Sequence, residues 1–271
     1  MPELMSLSAL VDLERYPLRD DTAFAPVADR CRAQLMESSF ASLPGFLRSG
    51  VAEAMTSEVL DAIPRAYRRE QSFSAYDEST LEQYPIDHVR RHKHESRQFV
   101  VATDVLPKAG RLRTLYGDET LTRRIAQMLD EPALFQLADP VMACTSTVMY
   151  EGDTHGWHFD LNDFVVSILL QAPEAGGTFD FAPNIREDGE ENYAAVAAAI
   201  DDRSERVRSI KVEAGTLLLF CGRRALHRVP PVRGKVPRVI ALLSYDRKPG
   251  VRYGAEVYAR VVGRSAALEQ D

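Results

Sequence analysis

Three side chains in this sequence have the types and spacing to hold a divalent cation together. The segment HisGlyTrpHisPheAsp occupies residues 155–160, with His158 and Asp160 two apart. On an extended chain that spacing sends both side chains to one face. A lone His-x-Asp is weak evidence, because an acidic chain produces such pairs by chance, and a half-exposed histidine beside a surface aspartate is the plain alternative. His227, in AlaLeuHisArgVal, follows after several further strand-like runs. Two neutral imidazoles and one anionic oxygen on one face of an octahedron form the 2-His-1-carboxylate site of non-haem iron(II). An antiparallel barrel supplies it when one strand carries the close pair and a distant strand returns the third ligand. The alternative for His227 is a satisfied core or rim histidine.

Arg238 opens the apolar run RVIALLSYD. A guanidinium buried there is costly without an anion, and a carboxylate met in bidentate fashion removes that cost. The distal carboxylate of 2-oxoglutarate is such a partner, with Arg233 next in line as the anchor; solvent exposure of a strand-end arginine is the alternative. Around these residues, Thr147 and Met149 share a strand face and are candidates to line a pocket. Ser244 lies on the same strand face as Arg238 and is a candidate contact for substrate or 2-oxoglutarate. Asn184 and Arg186, just after a strand, are candidates for a substrate carboxylate. His155, three residues before His158, does not share its strand face and either points at substrate or packs at the rim. Trp157 reads as core. His88, His92 and His94 lack the tight pairing of a metal module and lie among ArgArg and Lys, so they read as a surface loop or lid over 75–96.

The elements that must position these side chains follow from the pattern of the chain. The runs 141–150, 163–171, 177–183, 206–212, 215–222 and 238–246 are short, rich in β-branched and aromatic residues, and separated by turn signals such as ProGluAlaGlyGly. That texture predicts an antiparallel jelly roll, a double-stranded β-helix of cupin-like form, rather than a βαβ fold. Helices are expected over 26–39, 50–63 and 119–130, with a helical insertion over 187–200. The whole reads as one domain, 1–271, with residues 1–139 as helical support and lid and 140–250 as the jelly-roll core: mainly β, with flanking helices.

The bulk properties narrow the function. The 271 residues carry a net charge of −7, which opposes a nucleic-acid surface. No apolar run approaches membrane-spanning length, and the first residues lack the basic and apolar parts of a secretory signal. Three widely spaced cysteines, Cys31, Cys144 and Cys221, suit reduced thiols in a cytoplasm. The expected partner is therefore a small molecule, with no nucleic acid and no membrane; a homodimer is left open.

His158-Phe-Asp160, His227 and Arg238 resemble, in order and spacing, the iron(II)/2-oxoglutarate-dependent dioxygenases. The strings HGWHFD–DFVVSILLQAPEAGGTFDFAPNIR and HRVPPV–RVIALLSYDRKPG are similar to the BesD-type branch of amino-acid halogenases and their hydroxylase relatives, over roughly residues 140–250. The resemblance implies Fe(II), 2-oxoglutarate and O2 at His158, Asp160 and His227, and a small substrate, often a free amino acid. In halogenating members the carboxylate position is Gly; Asp160 here implies hydroxylation of an unactivated C–H bond. Free-lysine members carry an acid where this chain has Leu161, which implies a less cationic or modified substrate. The alternatives on the same platform are radical cyclisation or desaturation; those off it are a cupin-like protein that binds metal without turnover and a hydroxylase of protein or nucleic acid.

Overall fold

A computed structural model of the chain describes residues 6–76 and 78–268. Its helices are α1 (Leu7–Leu10), α2 (Asp21–Ser38), α3 (Val51–Asp61), α4 (Arg111–Tyr116), α5 (Glu119–Met128), α6 (Tyr193–Ile200) and α7 (Ala255–Val262). The strands of the first half are β1 (Phe40–Leu43), β2 (Tyr67–Ser74), β3 (Lys93–Val101) and β4 (Phe135–Gln136). They continue with β5 (Cys144–Met149), β6 (Thr154–His158), β7 (Val165–Gln171), β8 (Ala175–Gly176), β9 (Phe179–Ala182) and β10 (Arg208–Ile210). The last are β11 (Thr216–Phe220), β12 (Leu226–Val229), β13 (Val232–Arg233), β14 (Arg238–Leu243) and β15 (Tyr245–Asp246).

The main sheet runs β1-β11-β7-β14-β5-β3-β6-β12-β9-β10, with β2 paired along the other edge of β3. Strand β3 is the junction. Its Phe99–Val101 stretch pairs with β5, and its Ser96 and Arg97 pair with β6. A larger wall (β1 to β3) and a smaller wall (β6 to β10) therefore face each other. They meet again where Phe40 of β1 packs on Phe179 and Phe181 of β9, at 6.0 and 5.6 Å between ring centroids. The architecture is a double-stranded β-helix with flanking helices, as the strand texture predicts.

Period-two alternation divides each wall into two faces. Val148, Ile168, Leu217, Leu219, Val239 and Ala241 point outward from the larger wall, onto Phe24 and Cys31 of α2, Met55 of α3, Leu112 of α4 and Ile125 of α5. Each such aliphatic or aromatic side chain contributes about 1.5–3 kcal/mol by leaving water. The helices are placed by local signals: Asp20 caps α2 through Ala23 N–H, Asp118 caps α5 through Leu121 N–H, and Gly50 enters α3 at φ +80°. The opposite face of the larger wall buries polar side chains instead, among them Ser96, Gln98, Thr147, Ser167 and Arg238. Buried polar groups need partners, so the concave side is where a ligand belongs. The smaller wall packs its outer face, with Trp157, Phe159 and Leu226, under Val196 and Ala199 of α6.

The structure departs from the sequence expectations in three places. Residues before 140 supply strands as well as helices: β1, β2 and β3 all join the sheet. Strand β2, YRREQSFS, hides from pattern reading because neither face is apolar. Arg68 points out to Asp153 in two bonds of 2.7 Å, and Arg69 points in. Second, the insertion over 187–200 is helical only from Tyr193, because Glu187 and Glu190 form a bridge before it. Third, the expected loop over 75–96 is anchored: Tyr76 and Val89 are buried with Trp157 and α6, and 93–96 already belong to β3. Among the described residues no helix is long and apolar enough to cross a membrane. Cys31, Cys144 and Cys221 are free thiols.

Candidate metal centre

Strand β12 pairs with β6 so that His227 lies directly opposite His158. Asp160 sits just past the end of β6, where its N–H donates to the Gly222 carbonyl at 3.1 Å. The imidazole rings of His158 and His227 are 3.9 Å apart between centroids. His158 Nε2 is 3.7 Å from Asp160 Oδ1, and His227 Nε2 is 3.5 Å from Asp160 Oδ2. One ligand atom from each residue lies within 4.8 Å of the others, and this is the one such group of His, Cys, Asp or Glu among the described residues. His88, His92 and His94 form no comparable group.

The tautomers follow from the neighbours. His158 Nδ1 is 2.8 Å from the Gly156 carbonyl and His227 Nδ1 is 3.0 Å from the Ala225 carbonyl. A carbonyl only accepts, so each Nδ1 carries a proton and donates it, which leaves Nε2 of each ring as the atom facing Asp160 and free to serve as a metal ligand. Burial, helped by His227, pushes the His158 imidazole down to about 3 and keeps it neutral; Asp160 opposes only in part. Burial also pushes the Asp160 carboxyl up, but the facing His227 and His158 outweigh it and hold the group below its usual range. Asp160 Oδ2 is buried and has no hydrogen-bond partner among the described residues. Two imidazole Nε2 atoms and a carboxylate oxygen thus converge on one point. Around an octahedral ion with ligands at about 2.1 Å, neighbouring ligand atoms sit about 3 Å apart, close to the spacings seen here. The donor set and the orphaned carboxylate oxygen fit a divalent metal.

Glycine makes this packing feasible. A Cβ on Gly222 would stand 1.7 Å from Asp160 Oδ2, and one on Gly156 would stand 2.6 Å from the His94 Cβ. Gly156 also sits at an irregularity: His227 faces His158 and Val229 faces His155, so β6 spends three residues where β12 spends two. Such a bulge rotates the strand by one side chain. It corrects the expectation that His155 leaves the face of His158: their rings are 4.1 Å apart. His155 Nδ1 is 2.9 Å from Ser96 Oγ, and burial drives its imidazole well below the ordinary range. Phe73 closes over both rings, 5.5 Å from His155 and 6.0 Å from His158. Phe220 and Phe179 flank His227 at 4.7 and 5.7 Å.

Arg238 stands opposite Met149 at the start of β14 and is buried. Its Nε donates to the Gly177 carbonyl at 3.0 Å; no carboxylate pairs with it among the described residues. Burial alone lowers it to about 10, still cationic at neutral pH. It walls a cavity of about 230 Å³ together with Phe179, Leu169, Gly177 and Thr178. Gly177 is at φ +55°, and a Cβ there would meet Arg238 Cδ at 3.2 Å. Arg233, by contrast, is exposed on β13.

The remaining candidates divide. Thr147 is buried on the concave face, opposite Val100 and Ile240. Ser244 lies beyond the other end of β14, its backbone tied to Ala143, Leu137 and Tyr116, roughly 20 Å along the strand from Arg238. Asn184 turns outward: its Oδ1 accepts from Ser39 Oγ at 2.7 Å, and it borders a cavity of about 530 Å³ with Arg32, Asp163 and Arg247. Arg186 stacks 3.7 Å over the Phe159 ring and is tied to Glu191 and the Arg223 carbonyl. The structure therefore brings His155 and Thr147 to the concave side and commits Ser244, Asn184 and Arg186 elsewhere. Sequence reasoning passed over Gly222, Gly156, Gly177, Ser96, Phe73 and Arg69. A glycine directly after the strand GTLLLFC was the available signal for the first; for Ser96 and Arg69, on polar strands, there was none.

Solved structures share this fold. The non-heme alpha-ketoglutarate-dependent carbocyclase SnoK from nogalamycin biosynthesis aligns with a TM-score of 0.54 and 12% identity, covering 89% of this chain and 93% of its own. The non-heme alpha-ketoglutarate-dependent epimerase SnoN of the same biosynthesis aligns at 0.54 and 13%, covering 82% and 83%. AviO1 from Streptomyces viridochromogenes Tue57 aligns at 0.52 and 18%, covering 80% and 95%. No curated protein matches the chain in sequence. Residues 25–256 match the family model Halogenase D, HalD. The chain belongs to the Halogenase D family.

Proposed function

We propose that this protein is an iron(II)- and 2-oxoglutarate-dependent oxygenase that hydroxylates an unactivated C–H bond of a small molecule, an amino acid or amino-acid derivative, and that it is of the BesD-type branch. The observation that carries this reading is the convergence of His158 Nε2, His227 Nε2 and an undonated Asp160 oxygen on one point within a jelly roll. Iron(II) bound there with 2-oxoglutarate and O2 supplies an oxidant able to remove hydrogen from an unactivated carbon.

The protein's own part is placement. Gly156 and Ala225 lock the two imidazoles as Nε2 ligands, and Asp160 contributes the one negative ligand. Asp160 also takes the coordination position that a halide needs, which supports hydroxylation over halogenation in this member of the family. Arg238, held by Gly177, receives the distal carboxylate of 2-oxoglutarate. Phe73, Phe179 and Phe220 surround the imidazoles and exclude water from the reacting region. The free thiols support a reducing, cytoplasmic setting.

Anaerobic addition of Fe(II) and 2-oxoglutarate tests the reading. Wild-type protein gives the visible charge-transfer band of an iron–oxo-acid chelate, and Asp160→Ala and His227→Ala abolish it. A band that survives both substitutions refutes the ligand assignment. Mass spectrometry of products then separates hydroxylation, a gain of one oxygen, from desaturation or ring closure, a loss of two hydrogens.

A further inference from the structure

The concave face holds a second cation that nothing above uses. Strand β2 presents Arg69, Gln71 and Phe73 on its inner side, opposite Gln98, Ser96 and His94 of β3. Phe73 packs on His155 and His158, and Ser96 holds His155, so this row leads from the imidazoles to Arg69. Arg69 Nε is buried and makes no hydrogen bond among the described residues. Among the described residues no carboxylate acts on the guanidinium: burial lowers it first, Arg260 of α7 adds to that, and Tyr67 opposes. Its neighbour Arg68 shows the contrast, with two bonds to Asp153 and one to Glu70. Two consecutive arginines therefore differ: the outward one is held by two carboxylates, and the inward one has no carboxylate partner among the described residues.

Arg69 is half-buried; withdrawing a cation from water without a counter-charge is costly, and a charge-assisted bond to an incoming anion offsets that cost. On the reading above, the metal, Asp160, the two carboxylates of 2-oxoglutarate and Arg238 sum to neutral. Arg69 then adds one uncompensated positive charge to the same concavity. Its Cα is four strand residues, about 13 Å, from that of Phe73, and the arginine's own reach shortens the gap to the span of a small molecule. Its field is felt at both His155 and His158.

Resting on the iron/2-oxoglutarate reading, we propose that Arg69 anchors the substrate, and that the substrate is a small molecule bearing a carboxylate, which Arg69 grips while the carbon to be oxidised lies toward His158. The carboxylate function thus sits on the β2 side of the concavity, not at Asn184 or Arg186.

The test uses the full-length protein loaded anaerobically with Fe(II) and 2-oxoglutarate. The probes are the free proteinogenic amino acids, simple aliphatic and aromatic monocarboxylates, and the carboxamide of each. Binding is read from perturbation of the visible band and by calorimetry. At least one acid is expected to bind, with its amide weaker by about 10- to 100-fold, the range of a lost charge-assisted hydrogen bond. Arg69→Gln weakens the acid by a similar factor and leaves the amide unchanged, and Arg69→Lys recovers part of the loss; the lysine variant is the one read if the glutamine variant does not fold. An amide that binds as well as its acid, an acid that binds Arg69→Gln with wild-type affinity, or an entirely silent panel overturns the proposal while the band stands. Absence of the band from the wild type overturns the reading beneath it.

Discussion

Substituting Gly222 with alanine examines the site through a single methyl group. Gly222 follows β11, and its carbonyl accepts the Asp160 N–H at 3.1 Å, a contact that alanine keeps. Its φ is not in the left-handed region, so the backbone tolerates alanine, and any effect comes from the added Cβ. That atom would lie 1.7 Å from Asp160 Oδ2, 2.6 Å from Cγ and 3.0 Å from Cβ. Reaching ordinary contact requires the carboxylate to retreat by about 1.5 Å. Metal ligation tolerates about 0.2 Å, so the carboxylate is withdrawn from the ion while the two imidazoles stay. Removing support from a ligand costs roughly 10- to 100-fold in metal affinity, and direct displacement reaches at least the upper end of that range. The fold loses little, because the atoms met belong to one side chain; about 1–3 kcal/mol is the ordinary cost of such overpacking. Anaerobic Fe(II) titration in the presence of 2-oxoglutarate, followed by the visible band, measures the affinity, and urea unfolding of metal-free protein measures the fold. Gly254→Ala, where the new Cβ meets nothing within 4 Å, is the control. Iron binding by Gly222→Ala within twofold of wild type refutes the claim that Asp160, in this rotamer, is a ligand.

Two further outcomes follow from the same geometry. Arg238→Met keeps the stem and removes the charge, so the KM for 2-oxoglutarate rises by about 10- to 100-fold with secondary structure intact by circular dichroism; an unchanged KM places the anchor elsewhere. His94, whose Nε2 is buried without a partner among the described residues, is pushed down by burial, then His92 and Arg228, from 6.5 to about 4. A depressed imidazole binds its proton only in the unfolded chain between those values, so stability is lost as pH falls from 6.5 toward about 4. Urea unfolding of metal-free protein at about pH 7 and about pH 5 should show wild type losing roughly 1–2 kcal/mol more than His94→Gln; equal losses contradict the assignment.

Strands that bury one apolar face announce themselves: β5, β7, β11 and β14 alternate or run apolar, and each falls inside a run read from the sequence. Strand β2 does not, because its outer face is spent on ion pairs and its inner face on the ligand cavity, so hydrophobic periodicity has nothing to register. The same physics hid Arg69 and Ser96. Ser244 was misplaced because sharing a strand face with Arg238 fixes direction and says nothing of distance along the strand.

Residue chemistry by itself determined that two imidazoles, a carboxylate and a strand-borne arginine are available, that the chain makes an antiparallel barrel, and that an acidic surface disfavours nucleic acid. Tertiary structure alone decided which of them meet. Period-two reasoning separates His155 from His158, yet a bulge at Gly156 turns both into the cavity, and a missing side chain at Gly222 admits Asp160. Both depend on how one strand registers against another, and register is set by long-range pairing that no local pattern encodes.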